Sequence, residues 1–420
     1  MISPILLLIA GAAGDAPILT LERARAMALQ QRPELAAARA EVAAAEAARD
    51  GVDAAAWPSL SLSAQVSASP GSQLLEVEVK DPEGSQALVS GTLPLDADGT
   101  FEPLIRYAGS LGLSWSVWDF GRRAARRELA AAEGAIAAAR EAETADEVRR
   151  AVDLAYLGWL AADARRAQIE GARAATETRL QDAQGRVEAG VAAGSSLLSF
   201  EVAKARARLR EAAAQTDAAK AYLQLKSLLG DLAPDRARPD PGLLHVGEPS
   251  PEPEISRAAE ARLRAAEASA QVAARSLRPE VVLEASAGLR GQQGFLFPVY
   301  QGGVGLRWPL FDGGRSAAAE AEASARARAA KAVAEQESLQ GDRRRESRVI
   351  ASRGADRRVV LATELLEAAR RLAEDAAEQF AEGRVDAGAV SRADDEVLDA
   401  KARLLEARLD GLRARLGLDQ

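Results

Sequence analysis

The chain has no cysteine among its 420 residues, a single histidine, two methionines and only 4% aromatics. Without cysteine there is no disulfide, no thiolate metal site and no attachment point for a lipid anchor. The one histidine, His245, lies in a Pro-rich stretch, so a triad or His cluster cannot be built on it, and it reads as a surface residue. No run of 18 or more apolar residues exists, which excludes a transmembrane helix. No Gly-rich phosphate loop stands between a strand and a helix. No cofactor, no metal and no enzymatic activity are therefore expected. A formal net charge of −8 argues against nucleic acid as a partner. The run Arg343-Arg344-Arg345 shares its helix with Asp and Glu and reads as a solvated face.

What the chain has in excess is alanine, within a hydrophobic share of 48%. Alanine is the best helix former but buries little area per residue, which suits long, closely packed helices better than a thick core. Residues 1–16 join a short apolar centre to small residues ahead of a cut near Ala13 or Ala16, and read as a secretion signal.

Periodicity sorts the remainder into elements. Thr20 caps a helix to about Gln31, and Pro33 opens a second, to about Ala56, where its missing N–H costs nothing. From Leu60 the period drops to two: Leu60, Leu62, Ala64, Val66 and Ala68 alternate with Ser and Gln, a strand signal. Residues 70–108 read as a long loop with a small hairpin around Leu74–Val79, followed by a strand over Leu111–Trp118. An unbroken helical pattern then runs from Arg122 to about Val187, 66 positions or roughly 100 Å. Val148, Ala155, Ala162 and Ile169 recur at sevens within it, so part of it should supercoil with neighbours. Gly190 to Gly194 break the pattern, a helix returns over Ser195–Leu229, and residues 231–252 form a Pro-rich linker.

After the linker the plan repeats. A helix runs to about Arg278, strands follow over Val281–Leu289 and Val304–Leu310 with a turn between Gly291 and Tyr300, a long helix spans Arg315 to about Glu382, and a last helix ends near Leu416. Leu113-Ser-Trp-Ser-Val-Trp-Asp-Phe-Gly-Arg122 is echoed by Leu306-Arg-Trp-Pro-Leu-Phe-Asp-Gly-Gly-Arg315. Trp115 matches Trp308, Trp118 matches Phe311, Asp119 matches Asp312 and Gly121 matches Gly314, each pair 193 positions apart. The spacing from Trp115 to Gly190 and from Trp308 to Gly383 is 75 in both cases. These matches define an internal duplication, with repeat 1 over 17–230 and repeat 2 over 253–420. Asp119 and Asp312 read as caps of the long helices, where a carboxylate accepts orphan amide hydrogens, rather than as catalytic acids.

Each strand is about nine residues long, apolar on one face and Ser- or Gly-rich on the other. That length and alternation are those of a membrane-spanning strand. Four strands cannot close a barrel, so closure needs several chains, and three would give 12 strands.

The sequence resembles the TolC-type outer-membrane efflux family over nearly its whole length. The carriers are Leu19-Thr-Leu with Pro33-Glu-Leu, Trp57-Pro-Ser-Leu, the junction Leu310-Phe-Asp-Gly-Gly-Arg315, and the tips Arg186-Val-Glu-Ala-Gly190 and Phe380-Ala-Glu-Gly383. The resemblance implies a mainly α fold with a small β part. It also implies a homotrimer whose 12-stranded barrel sits in outer-membrane lipid, continued by a coiled-coil tunnel of 12 helices through the periplasm. An inner-membrane pump of the RND, ABC or MFS type would supply substrate, and a periplasmic adaptor would dock at the tips. The family's tip motif maps onto Gly190, Val191, Ser196 and Leu197, and onto Gly383, Arg384, Ala389 and Val390. Many members carry an Asp six residues after each tip Gly; here Ser196 and Ala389 take those places, so no carboxylate ring carries over. Asp386, Asp394 and Asp395 read as solvated charges near a helix start. The alternative is a periplasmic coiled-coil structural or adaptor protein without a channel, a class that lacks four membrane-length strands.

Overall fold

The computed structural model describes residues 17–70, 72–80, 86–94, 103–189, 194–245, 257–292 and 295–418. The signal-like residues 1–16, Gly190 and Val191 of the first tip, and residues 246–252 of the linker lie outside them. In chain order the elements are β1 (Ile18–Leu19), α1 (Leu21–Gln31), α2 (Pro33–Ala54), β2 (Ser59–Pro70), β3 (Ser72–Lys80), β4 (Gln86–Pro94), β5 (Pro103–Trp118), α3 (Arg122–Glu188) and α4 (Gly194–Leu229). They continue as β6 (Arg238–Pro239), α5 (Arg257–Ala274), β7 (Glu280–Gln292), β8 (Phe295–Arg307), α6 (Arg315–Ala381) and α7 (Ala387–Leu416). The duplication is visible in this order, and α3 and α6 are each 67 residues long. No described helix is long and apolar enough to cross a membrane.

The chain divides into two units. One, comprising residues 43–136 and 259–332, holds the main sheet. Its order is β2-β5-β7-β8, antiparallel throughout, and among the described residues β3 pairs only with β4. The expected loop over 70–108 is corrected here, because β5 begins at Pro103. Tyr107-Ala108-Gly109 interrupts the apolar alternation, yet the ladder with β2, from Ser59–Ser114 to Pro70–Pro103, holds this stretch extended. The expected turn between Gly291 and Tyr300 also shrinks, since Gln292 and Phe295 are already paired. At its other end β8 stops at Arg307, short of the expected Leu310; Pro309 has no N–H to give a ladder. At Gly288 and Gly291 of β7 there is no room for a side chain against β5: a Cβ on Gly288 would lie 2.3 Å from the Gly109 carbonyl oxygen, and one on Gly291 would lie 2.2 Å from the Tyr107 ring.

The other unit comprises residues 1–42, 137–258 and 333–420. Its largest apolar cluster joins Leu21, Ala24 and Ala28 of α1, Val148, Val152, Ala155, Tyr156 and Trp159 of α3, and Leu225 and Leu229 of α4. The α3 members follow the three- and four-residue spacing of a supercoil seam. The Tyr156 hydroxyl donates to the Leu19 carbonyl at 2.7 Å and accepts from the Asp240 amide at 2.9 Å. Burial raises its pKa above the usual tyrosine value, while the Asp240 amide opposes that shift. The described part of the Pro-rich linker is packed rather than free: β6 pairs in parallel with β1, and Leu243 sits against the same cluster.

Candidate functional site

Two constellations were singled out by the sequence, and each is built from local backbone geometry. At the first strand-to-helix joint, Asp119 Oδ1 accepts from the Gly121 amide at 3.2 Å and Oδ2 from the Arg123 amide at 2.6 Å. At the second, Asp312 Oδ1 accepts from the Gly314 amide at 3.1 Å, and Oδ2 from the Ser316 amide at 2.9 Å and its hydroxyl at 2.6 Å. The same two amide offsets are capped both times. The Ser316 hydroxyl, then the two amides, hold the Asp312 carboxyl below the usual carboxylate range. Both aspartates thus cap the starts of their helices.

The turns themselves use two left-handed residues in a row: Phe120 and Gly121 at φ 53° and 87°, Gly313 and Gly314 at 72° and 86°. Glycine enters that region freely, whereas phenylalanine pays in strain. The first joint has braces that the sequence did not reveal. Arg278 donates to the Phe120 carbonyl at 2.7 Å and Arg275 to the Gly121 carbonyl at 3.1 Å. Trp115 Nε1 donates to the Ala56 carbonyl at 2.8 Å, and Trp118 stands edge-on to Phe120. Arg275 and Arg278 are 154 and 158 positions from their partners, and nothing in their local pattern marks them. Trp118, Trp308 and Phe311 are exposed, Phe311 at 88%.

The second tip is fully described. α6 ends in a Schellman turn, with the Gly383 amide on the Phe380 carbonyl at 3.0 Å and the Arg384 amide on Gln379 at 2.9 Å. Gly383 has φ 78°, and no side chain lies within 4 Å of a Cβ placed there. Asp386 then caps α7 by accepting from the Ala389 amide at 2.8 Å. Of the other predicted tip residues, Val390 is buried, Ala389 half-buried and Arg384 exposed. Of the first tip, Leu197 packs on a cluster formed by Leu180, Ala183, Phe200, Phe380 and Ala387. Phe200 and Phe380 meet edge to face at 5.7 Å, and the Arg186 guanidinium lies 5.5 Å from the centre of the Phe380 ring. The fold therefore brings α3, α4, α6 and α7 residues from both repeats into one apolar knot.

Of Asp386, Asp394 and Asp395, read as solvated charges near a helix start, Asp386 and Asp395 stay exposed, and the reading is corrected for Asp394. Asp386 is a cap. Asp394 pairs with Arg179 of α3 at 2.7 Å, and Asp395 with Arg210 of α4 at 2.6 Å. Burial raises the Asp394 pKa; neighbouring Asp395 adds to that, and Arg179 opposes it. These partners lie on other helices, so helical-wheel reasoning along α7 alone could not find them. A cavity of about 140 Å³ opens between α3, α4 and α7 beside these pairs. Among the described residues no group of three or more His, Asp or Glu side chains could hold a metal ion.

Residues 24–231 and 253–420 match the family described as outer membrane efflux protein. No curated protein matches. Among solved structures, the chain is similar to CusC (TM-score 0.76, 16% identity, covering 95% of this chain and 90% of that one). It is also similar to the outer-membrane channel OprN (0.72, 24%, 95% and 88%) and to the outer membrane protein VceC of Vibrio cholerae (0.71, 19%, 95% and 94%). At these identities the likeness is one of fold.

Proposed function

The chain belongs to the outer membrane efflux protein family, and from that premise we propose that three copies form one passive channel. Each copy contributes β2, β5, β7 and β8 to a 12-stranded barrel in the outer membrane, and its helices to a tunnel in the periplasm. The channel conducts substrates delivered by an inner-membrane pump of a tripartite efflux or type I secretion system, coupled through an adaptor at the helical tips.

The observation that carries this reading is the sheet. One face exposes Leu60, Leu62 and Val66 of β2 and Tyr300, Val304 and Leu306 of β8, with Leu62 81% and Tyr300 79% exposed. The other face carries Ser59, Ser61, Ser63, Ser110, Gly112, Ser114 and Ser286, with Val299, Phe297 and Phe295 of β8 only towards one end of the sheet. Apolar area of that extent is not left in water, and β2 and β8 leave backbone groups unpaired at both edges. Lipid on one face, water on the other and closure by further copies would satisfy all three demands. Strands of 12 to 16 residues are long enough to span. The exposed Trp118, Trp308 and Phe311 suit an aromatic girdle at the inner membrane interface.

The test is detergent extraction, mass measurement and reconstitution into a planar bilayer. A trimer that opens stable conductances is expected; a monomer released without detergent would defeat the reading. At the tips, Gly383→Leu should leave the trimer folded and weaken adaptor docking, because a side chain at φ 78° strains the turn and alters its outline. Undiminished crosslinking of that variant to the adaptor would count against the docking assignment.

A further inference from the structure

We propose that the barrel lumen selects for anions, through Arg106 of β5 and Arg290 of β7. This rests on the barrel reading above, which makes the Ser- and Gly-rich face the lumen. Register places both arginines on that face. Arg106 stands opposite Ser67 and Gln292, and Arg290 opposite Ala108 and Phe297. Since Ala108 is two residues from Arg106, the two arginines are diagonal neighbours across the ladder, about 7–8 Å apart at their Cα atoms. Both side chains are exposed. No ladder neighbour is acidic, and among the described residues neither arginine has a carboxylate partner.

The remaining charges on this face are balanced. Glu284 pairs with Arg307 at 3.8 Å and Glu280 with Arg122 at 3.4 Å. Among the described residues, what stays uncompensated on this face is therefore two guanidinium groups. They sit side by side, where like charges repel and a solvated anion would relieve them. Three copies place six such groups around one level of the lumen. Rings of Arg or Lys are how anion pores select, and a low-dielectric wall focuses their field into the water between them.

The connection over 71–102 opposes this, with Glu76, Glu78, Asp81, Glu83, Asp96, Asp98 and Glu102 against Lys80. Among the described residues its strands β3 and β4 pair only with each other and do not join the four-stranded sheet. Charges farther than about 8 Å from the pair are screened at physiological salt, so the two adjacent guanidinium groups should set the preference at their own level of the lumen. Ser196 and Ala389 of the tips add no carboxylate.

The experiment is the zero-current potential of the full-length protein in a planar bilayer under a potassium chloride gradient. Wild type should favour chloride over potassium several-fold. Arg106→Gln with Arg290→Gln should keep the conductance and lose the preference; if the double variant forms no pore, each single variant should show a partial loss. Cation preference or no preference in wild type overturns the proposal, as does a chloride preference that survives every substitution. A wild-type protein that forms no pore fails the barrel reading instead, and the two failures are thereby distinguished.

Discussion

Asp119 and Asp312 each hold two amide groups that no helical carbonyl can reach. Replacing Asp119 by Ala should cost about 1 kcal/mol of stability, the usual price of a lost cap, measured by denaturant unfolding of the solubilised protein. Asp312 adds a pH signature. Its pKa is lowered in the fold, chiefly by the Ser316 hydroxyl, so its cap stabilises above the ordinary carboxylate range and is lost as pH falls through the lowered value. The Asp312→Ala deficit should therefore be full at neutral pH and shrink on acidification; a deficit independent of pH would mean that the carboxylate is not what stabilises the turn. The residue between cap and glycine differs between the joints, Phe120 in one and Gly313 in the other. Phe120 persists at φ 53° where its carbonyl is held by Arg278 and its ring meets Trp118, two contacts that offset left-handed strain.

The helices show where sequence reading succeeds and where it stops. Thr20, Pro33 and the break at Gly383 were legible because caps, proline and glycine act within a few residues of themselves. The start of β5 was not, because Leu104–Ser110 is extended by its partner β2 rather than by its own alternation. The ion pairs that fasten one helix to another were also invisible, since Arg25 and Asp153 are 128 positions apart. That pair joins α1 to α3 with two hydrogen bonds of 2.6 and 2.7 Å, and its two ends are unequal: the Asp153 side chain is 4% exposed and that of Arg25 30%. Removing the arginine strands a carboxylate in the interior, whereas removing the aspartate leaves a guanidinium that can turn to water. Arg25→Ala should cost about 3–5 kcal/mol, and Asp153→Ala distinctly less. Unfolding curves of the two variants under one condition check the order, and equal losses would refute the idea that burial of the carboxylate sets it.

At the scale of the whole molecule, the open edges of β2 and β8 make the strongest demand. A four-stranded antiparallel sheet with both edges bare is a template for pairing with further chain. The duplication has a β-hairpin-like pair of strands in each repeat, and β5 pairs with β7 to fuse the two pairs. Among the described residues that leaves β2 of the first repeat and β8 of the second as the edges of this sheet, so the proposed ring would join β2 of one copy to β8 of the next. Such head-to-tail contacts generate a ring when the rotation closes. The absence of cysteine gives a clean background for testing this. With Ser61→Cys on β2, single partners scanned along the same face of β8 (Gln301→Cys, Gly303→Cys, Gly305→Cys) should give at least one position that oxidises to a disulfide. A non-reducing gel should then show a ladder ending at three chains, because each copy offers one β2 and one β8. Only monomer across the scan would mean that these edges do not meet; bands continuing past three would mean that they meet without closing.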